Sequence, residues 1–284
     1  MADAPACFKP NPAIFGLGVR IGFYFIGILA AVTPIKSTFT TWKLKQIENG
    51  NEDVQPKREI SSIVTVQGVQ GLGLLVTAVI QTALGQLSLY HAFLIINLLF
   101  LLSTLFLYFL FSPGISLRRR WFFLFALLLL SIFSLYVGLH ASSFGSQPDC
   151  NHTVQIIWIF RVTTASFVWF RNFGITIFSV YLGVALLHIA QLFLFKRTTT
   201  DLGSTPLRAY GLTVLLINFV LIGVIEETIR VNNVPDNTLW SFGQVLPIVM
   251  LIGPVFDIWD DNFPLLKAAW LKRRGARSYS KLDY

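Results

Sequence analysis

The sequence predicts an all-α fold: a polytopic membrane helical bundle of seven transmembrane helices, N-terminus outside or lumenal and C-terminus cytoplasmic. Three observations carry this reading. Seven apolar stretches, 13–35, 60–84, 88–112, 120–141, 172–195, 207–228 and 239–259, can be marked. Each has about 20 or more mostly apolar residues, the length a helix rising ~1.5 Å per residue needs to cross a hydrocarbon core of ~30 Å. The basic residues gather on alternate connections. Lys36, Lys43, Lys45, Lys57 and Arg58 follow the first stretch, Arg118, Arg119 and Arg120 the third, and Lys196, Arg197 and Arg208 the fifth. Lys267, Lys272, Arg273, Arg274, Arg277 and Lys281 follow the seventh, whereas the other side has Lys9 before the first stretch, none between the second and third, and Arg230 between the sixth and seventh. Lys and Arg stay cytoplasmic, which fixes the orientation. Finally, 54% of the 284 residues are hydrophobic and 13% charged, with a mean hydropathy of +0.66. A water-soluble fold has no way to hide that much apolar surface.

The first stretch, 13–35, has no small-residue cleavage site after a charged start, so it is expected to stay as an anchor. The second, 60–84, carries Gly68, Gly71 and Gly73, which let a neighbouring helix approach closely. The third and fourth, 88–112 and 120–141, are mostly apolar, and Trp121 opens the fourth as part of an aromatic belt with Trp240 and Trp259 around the seventh. Between the fourth and fifth lie Cys150 and the sequon Asn151-His152-Thr153. The charge asymmetry puts this loop outside together with Cys7, which predicts a Cys7–Cys150 disulfide and glycosylation of Asn151. The segment 154–171, VQIIWIFRVTTASFVWFR, has Arg161 near its centre and abuts the next stretch. As an eighth span it would send Lys196, Arg197 and the tail to the opposite side from Arg118–Arg120. An outer interfacial helix, with Trp158 and Trp169 at headgroup level, is expected instead. In the seventh stretch Pro247 predicts a bend. Residues 1–259 thus read as a single seven-helix domain, and 260–284 as a basic amphipathic cytoplasmic tail.

Ionisable groups inside a span are costly and point to function. In the outer half the topology collects Arg20, Tyr24, Gln81, His91, His140, Glu226, Glu227 and Gln244. An ion pair of Arg20 with Glu226 or Glu227 would relieve a buried arginine. The two glutamates point about 100° apart, so one faces the bundle. His188 and Asn218 read as helix–helix hydrogen-bonding groups. No span contains a Lys to carry a retinal Schiff base, and there is no phosphate loop and no metal-ligand spacing. No cofactor and no metal are expected. The formal charge of +8 sits beside span ends, where it meets anionic lipid and not nucleic acid.

Asn11-Pro12-Ala13-Ile14-Phe15-Gly16-Leu17-Gly18-Val19-Arg20 resembles the N-P-D-I-x-G-x-G-V-R opening of a group of largely uncharacterised fungal multispan membrane proteins. Leu87-Ser88-Leu89-Tyr90-His91-Ala92 and Trp240-Ser241-Phe242-Gly243-Gln244 are similar to that group's later landmarks. Ala13 stands where the group has Asp, so any role of that carboxylate is absent here. The resemblance implies a fungal source and a seven-helix fold, with no activity attached. In size, helix count and candidate acids the chain is also similar to the cofactor-free multispan terpene cyclases of fungal secondary metabolism, none of whose motifs maps onto it residue by residue.

The leading expectation is therefore a membrane-embedded terpene cyclase or isomerase acting by acid catalysis on a lipophilic isoprenoid or epoxide. Glu226 or Glu227 would be the acid and Arg20 its electrostatic partner, with Tyr24, His91, His140 and Gln244 lining a substrate pocket. A seven-helix receptor or sensor, or a transporter, is the alternative. The expected partners are the bilayer and a lipophilic small molecule, and the expected location is the endoplasmic-reticulum or plasma membrane.

Overall fold

The computed structural model describes Cys7 and residues 11–47, 62–111, 117–158, 161–164, 167–195, 204–234 and 242–252. The expected tail and the Trp240 and Trp259 belt positions lie outside them. The described chain is mostly helical. In order it forms α1 (Pro12–Phe15), α2 (Leu17–Ile47), α3 (Ser62–Ala83), α4 (Leu89–Phe111) and α5 (Leu117–Leu139). A 3₁₀ helix (Pro148–Thr153), β1 (Gln155–Trp158) and β2 (Arg161–Thr164) follow, then α6 (Val168–Phe195), α7 (Ser204–Asn232) and α8 (Phe242–Met250). Four segments, Val66–Ala83, Leu117–Leu139, Val168–Leu194 and Gly211–Asn232, are long and apolar enough to cross a membrane, and shorter apolar runs occupy Leu17–Val32 and Leu89–Thr104. Those four helices mark an integral membrane protein.

Helix α4 is the centre of the bundle, touching α1, α2, α3, α5, α7 and the 3₁₀ helix. Its only ionisable groups are Tyr90, His91 and Tyr108, and a helix so apolar on every side belongs inside. Leu94, Ile95, Leu98, Leu101 and Leu102 are fully buried. Helix α6 is also largely apolar yet peripheral, packing chiefly against α5. Leu187, Phe193 and Leu194 stand exposed along it, an apolar face that lipid can cover and water cannot.

Two devices set the ends and crossings. Helix α3 closes on Gly85, whose φ of +65° is the left-handed conformation. Gln86 N–H donates to the Gln81 carbonyl at 2.8 Å and Gly85 N–H to that of Thr82 at 3.0 Å, a Schellman stop that satisfies two otherwise open carbonyls. Helices α2 and α8 cross at Gly22, where a Cβ would lie 2.7 Å from that of Pro247. There Gln70 of α3 also donates to the Pro247 carbonyl, at 3.2 Å.

The segment 154–171 is corrected. It is not an interfacial helix: β1 and β2 pair antiparallel, Gln155 opposite Thr164 and Trp158 opposite Arg161, and α6 begins at Val168. Ile156, Ile157, Val162, Thr163 and Thr164 are β-branched and fit a pleated surface better than a helix. Val154 and Ile156 are fully buried and Gln155 between them is exposed, as in a pleated strand, while Ile157 is buried as well. The outer edge of β1 is closed by side chains of α7. Asn232 accepts from Gln155 N–H at 3.0 Å and donates to its carbonyl at 2.6 Å. Thr228 Oγ1 accepts from Ile157 N–H at 3.4 Å. The hairpin thereby holds the end of α7.

The expected disulfide is present: Cys7 is joined to Cys150, with Cα atoms 5.6 Å apart. The expected glycan site is corrected. Asn151 is 1% exposed, and its Nδ2, the atom a glycan would occupy, donates to the carbonyls of Ala141 at 3.0 Å and Phe144 at 2.9 Å. Both hydrogens of the amide are in use, and the residue is a strut beneath the loop.

Candidate functional site: an Arg20–Glu226–Tyr24 cluster

Helices α2 and α7 pack side by side and are stitched at two levels. Deeper in the bundle, Asn218, fully buried, donates to the Gly27 carbonyl at 3.1 Å. Two turns along α2 toward the N-terminus stands Arg20, and two turns along α7 toward its C-terminus stands Glu226. Such paired offsets are what antiparallel helices produce. Arg20 Nη1 donates to Glu226 Oε1 at 2.5 Å. Tyr24, four residues after Arg20 and so on the same face, donates its hydroxyl to that same Oε1 at 2.9 Å.

Burial is unequal across the cluster. The Arg20 side chain is 2% exposed and that of Glu226 47%. The guanidinium is therefore the fixed, enclosed charge, and the carboxylate is its bridge to the outside. Both bonds land on Oε1 and leave Oε2 without a protein partner among the described residues. One carboxylate oxygen thus takes a charge-assisted bond from a guanidinium and a second bond from a phenol.

The other expected site residues go elsewhere. Glu227 faces away from α2 and bonds Arg230, one turn on, through both oxygens. His91 belongs to a helix cap: Ser88 precedes α4, its Oγ stands 2.8 Å from His91 Nδ1, and His91 N–H donates to it at 3.4 Å. His140 is exposed at the end of α5, stacked on Tyr136 at 4.6 Å and donating to the Tyr136 carbonyl at 3.0 Å. Gln244 lies in α8, and its side chain is outside the described residues. Gln81 accepts from Asn11 at 3.4 Å, tying the N-terminal segment to the end of α3.

A cavity of about 150 Å³ does exist, but Tyr24, His91 and His140 do not line it. It sits between α4, α5 and α6, walled by Phe93, Phe100, Phe170 and Phe178. Those three residues therefore stand apart from this cavity. The sequence reading missed Arg171 and Ser134, which do reach this cavity; a basic residue at a helix start was taken as interfacial. Among the described residues, no group of three His, Cys, Asp or Glu stands close enough to hold a metal ion.

No protein-family model, curated protein or solved structure matches the chain.

Proposed function

We propose that the chain is a seven-span integral membrane enzyme, N-terminus outside and C-terminus cytoplasmic, that transfers protons to and from a lipophilic isoprenoid-type substrate without a cofactor. The observation that carries this is the Glu226 carboxylate, partly open, with Arg20 and Tyr24 both fixed on Oε1 and Oε2 left over. The seven spans are supported by helices at all seven apolar stretches, and the orientation by the basic connections and the Cys7–Cys150 bond.

Within that class the geometry favours isomerisation over cyclisation. Opening an epoxide needs a free proton donor at the outset, whereas the Tyr24 hydroxyl is already committed to Oε1 and the open atom of the cluster, Oε2, is an acceptor position. Glu226 Oε2 takes a proton from an allylic C–H of the substrate. The electron pair moves into a new double bond, the former alkene shifts, and the Glu226 carboxyl, whose proton exchanges with water through its open side, delivers a proton to the far carbon. Tyr24 and Arg20 hold Oε1 throughout and balance the charge.

The test is deuterium uptake from D₂O into unsaturated prenyl ketones by membranes containing the chain. Glu226→Gln removes the acceptor and lowers uptake by the ~10²–10⁴-fold of a lost general base. Tyr24→Phe lowers it by a smaller factor, and Glu227→Gln leaves it unchanged. Uptake that survives Glu226→Gln with the protein intact overturns the assignment.

A further inference from the structure

We infer that the cleft between α4, α5 and α6 binds a single-chain lipid with a carboxylate headgroup, with Arg171 holding that carboxylate. None of Arg20, Tyr24 and Glu226 lines this cleft, so the inference stands apart from the proton-transfer reading.

The cleft exists because bulky and missing side chains alternate around it. Helix α6 meets α4 through aromatic rings, Phe93 with Phe170 at 5.6 Å and Phe100 with Phe178 at 5.9 Å. These hold the two backbones apart. On the other walls Gly138 and Gly174 contribute no side chain, and a Cβ at Gly174 would meet nothing within 4 Å. The resulting space of about 150 Å³ is half-open, and an apolar cavity of that order takes a benzene-sized group. It therefore houses one portion of a longer chain, whose remainder leaves through the open side.

Two polar groups break the apolar lining in a way the protein does not answer. Arg171 lines the cleft with its Nε sealed from solvent and unbonded, and no carboxylate pairs with it among the described residues. Ser134 is 4% exposed, also lines the cleft, and its Oγ has no partner. A buried donor left without an acceptor is costly, the more so when charged, so a ligand supplying an acceptor gains what the fold forgoes. Arg171 lies in the first turn of α6, where it also opposes the helix dipole. An anion there relieves both. One guanidinium with no second basic residue in the lining matches a single negative charge, a carboxylate in preference to a phosphate. Gly138 packs on Ile175, which sets Arg171 level with Ala141 and places Ser134 about 10 Å deeper, two helical turns down α5.

The test uses the full chain in nanodiscs of zwitterionic lipid, with dansylundecanoate as fluorescent probe and its methyl ester as the uncharged control. The acid is expected to bind saturably and at least about tenfold more tightly than the ester, as a desolvated charge-assisted pair allows. Arg171→Gln should bring the acid down to the ester's affinity without changing the ester. Gly174→Leu fills the space and should abolish binding of both, while the intact Cys7–Cys150 bond and a monodisperse elution profile report the fold. Equal binding of acid and ester overturns the inference. So does an Arg171→Gln protein that still prefers the acid, or dodecyl phosphate displacing the probe better than laurate.

Discussion

A single amide shows how far a residue's meaning depends on its surroundings. Asn151 stands in a sequon, yet both its amide hydrogens are committed to the carbonyls of Ala141 and Phe144. A glycan on Nδ2 would remove one hydrogen and force a polar tree into a site that is 1% exposed. The expected outcome is an unglycosylated asparagine: digestion with an amidase that removes N-glycans should leave electrophoretic mobility unchanged, and a shift would mean that this loop folds differently. Asn151→Ala should lower stability by roughly 1–3 kcal/mol, the cost of stranding buried carbonyls, read as an earlier thermal transition. The sequon was legible in the sequence; its burial was not, because burial is decided by what α5 and the 3₁₀ helix fold over it. Arg20 and Glu226 fared better. Their depths along oppositely running spans follow from counting residues, so a pair of Arg20 with Glu226 or Glu227 could be read from position, while the choice of Glu226 could not. Tyr24 then joins by its four-residue offset. His91 could not be resolved this way, since the same side chain serves a cap or a pocket depending on one Ser88 rotamer.

At the scale of elements, the apolar stretches translate almost directly into helices. The stretch 60–84 became Ser62–Ala83, and 88–112 became Leu89–Phe111. Lipid offers the backbone no hydrogen bonds, so a long apolar run has one local solution. Helix α2 departs from this by continuing to Ile47, well past the apolar part, because Lys36, Lys43 and Lys45 are sound helix formers. Outside lipid the constraint lapses, and the hairpin at 155–164 was misjudged for that reason: aromatic anchors suggested an interfacial helix while the β-branched density favoured strands. Crossings give a sharper test. At Gly22 an added methyl meets Pro247, backbone included, at 2.7–3.2 Å. Neither a ring nor a helix backbone can swing aside. Gly22→Ala should therefore cost about 1–3 kcal/mol, the range for overpacking. Gly73 has nothing within 4 Å, so Gly73→Ala should stabilise α3 by up to about 1 kcal/mol through propensity. Thermal unfolding of the two variants side by side checks the pair; equal shifts would mean that α2 and α8 do not cross at Gly22.

For the whole molecule the Cys7–Cys150 bond matters most, because it joins points 143 residues apart and ties the N-terminal segment to the loop after α5. In the chain-entropy account, closing a loop of more than ~100 residues stabilises by about 4–5 kcal/mol, less where a bilayer already confines the unfolded helices. Cys7→Ser and Cys150→Ser remove the same bond, so each should lower the unfolding midpoint equally and the double variant no further. The bond also constrains the proposed topology. A disulfide that persists belongs to an oxidising compartment, while the basic connections belong to the cytosol. The two requirements are compatible only if an odd number of spans separates Cys150 from the C-terminus. The proposed seven-span reading supplies three, α6, α7 and the stretch that contains α8. In sealed microsomes a C-terminal tag should then be digested by added protease, and an impermeant maleimide should label Cys7 and Cys150 only after reduction and permeabilisation. Protection of the tag would leave an even number of crossings after Cys150. The hairpin, through Asn232, fastens the Glu226 end of α7 to the same end of the bundle as Cys150, so the lost crossing would be that of α8, and the C-terminus alone would change sides.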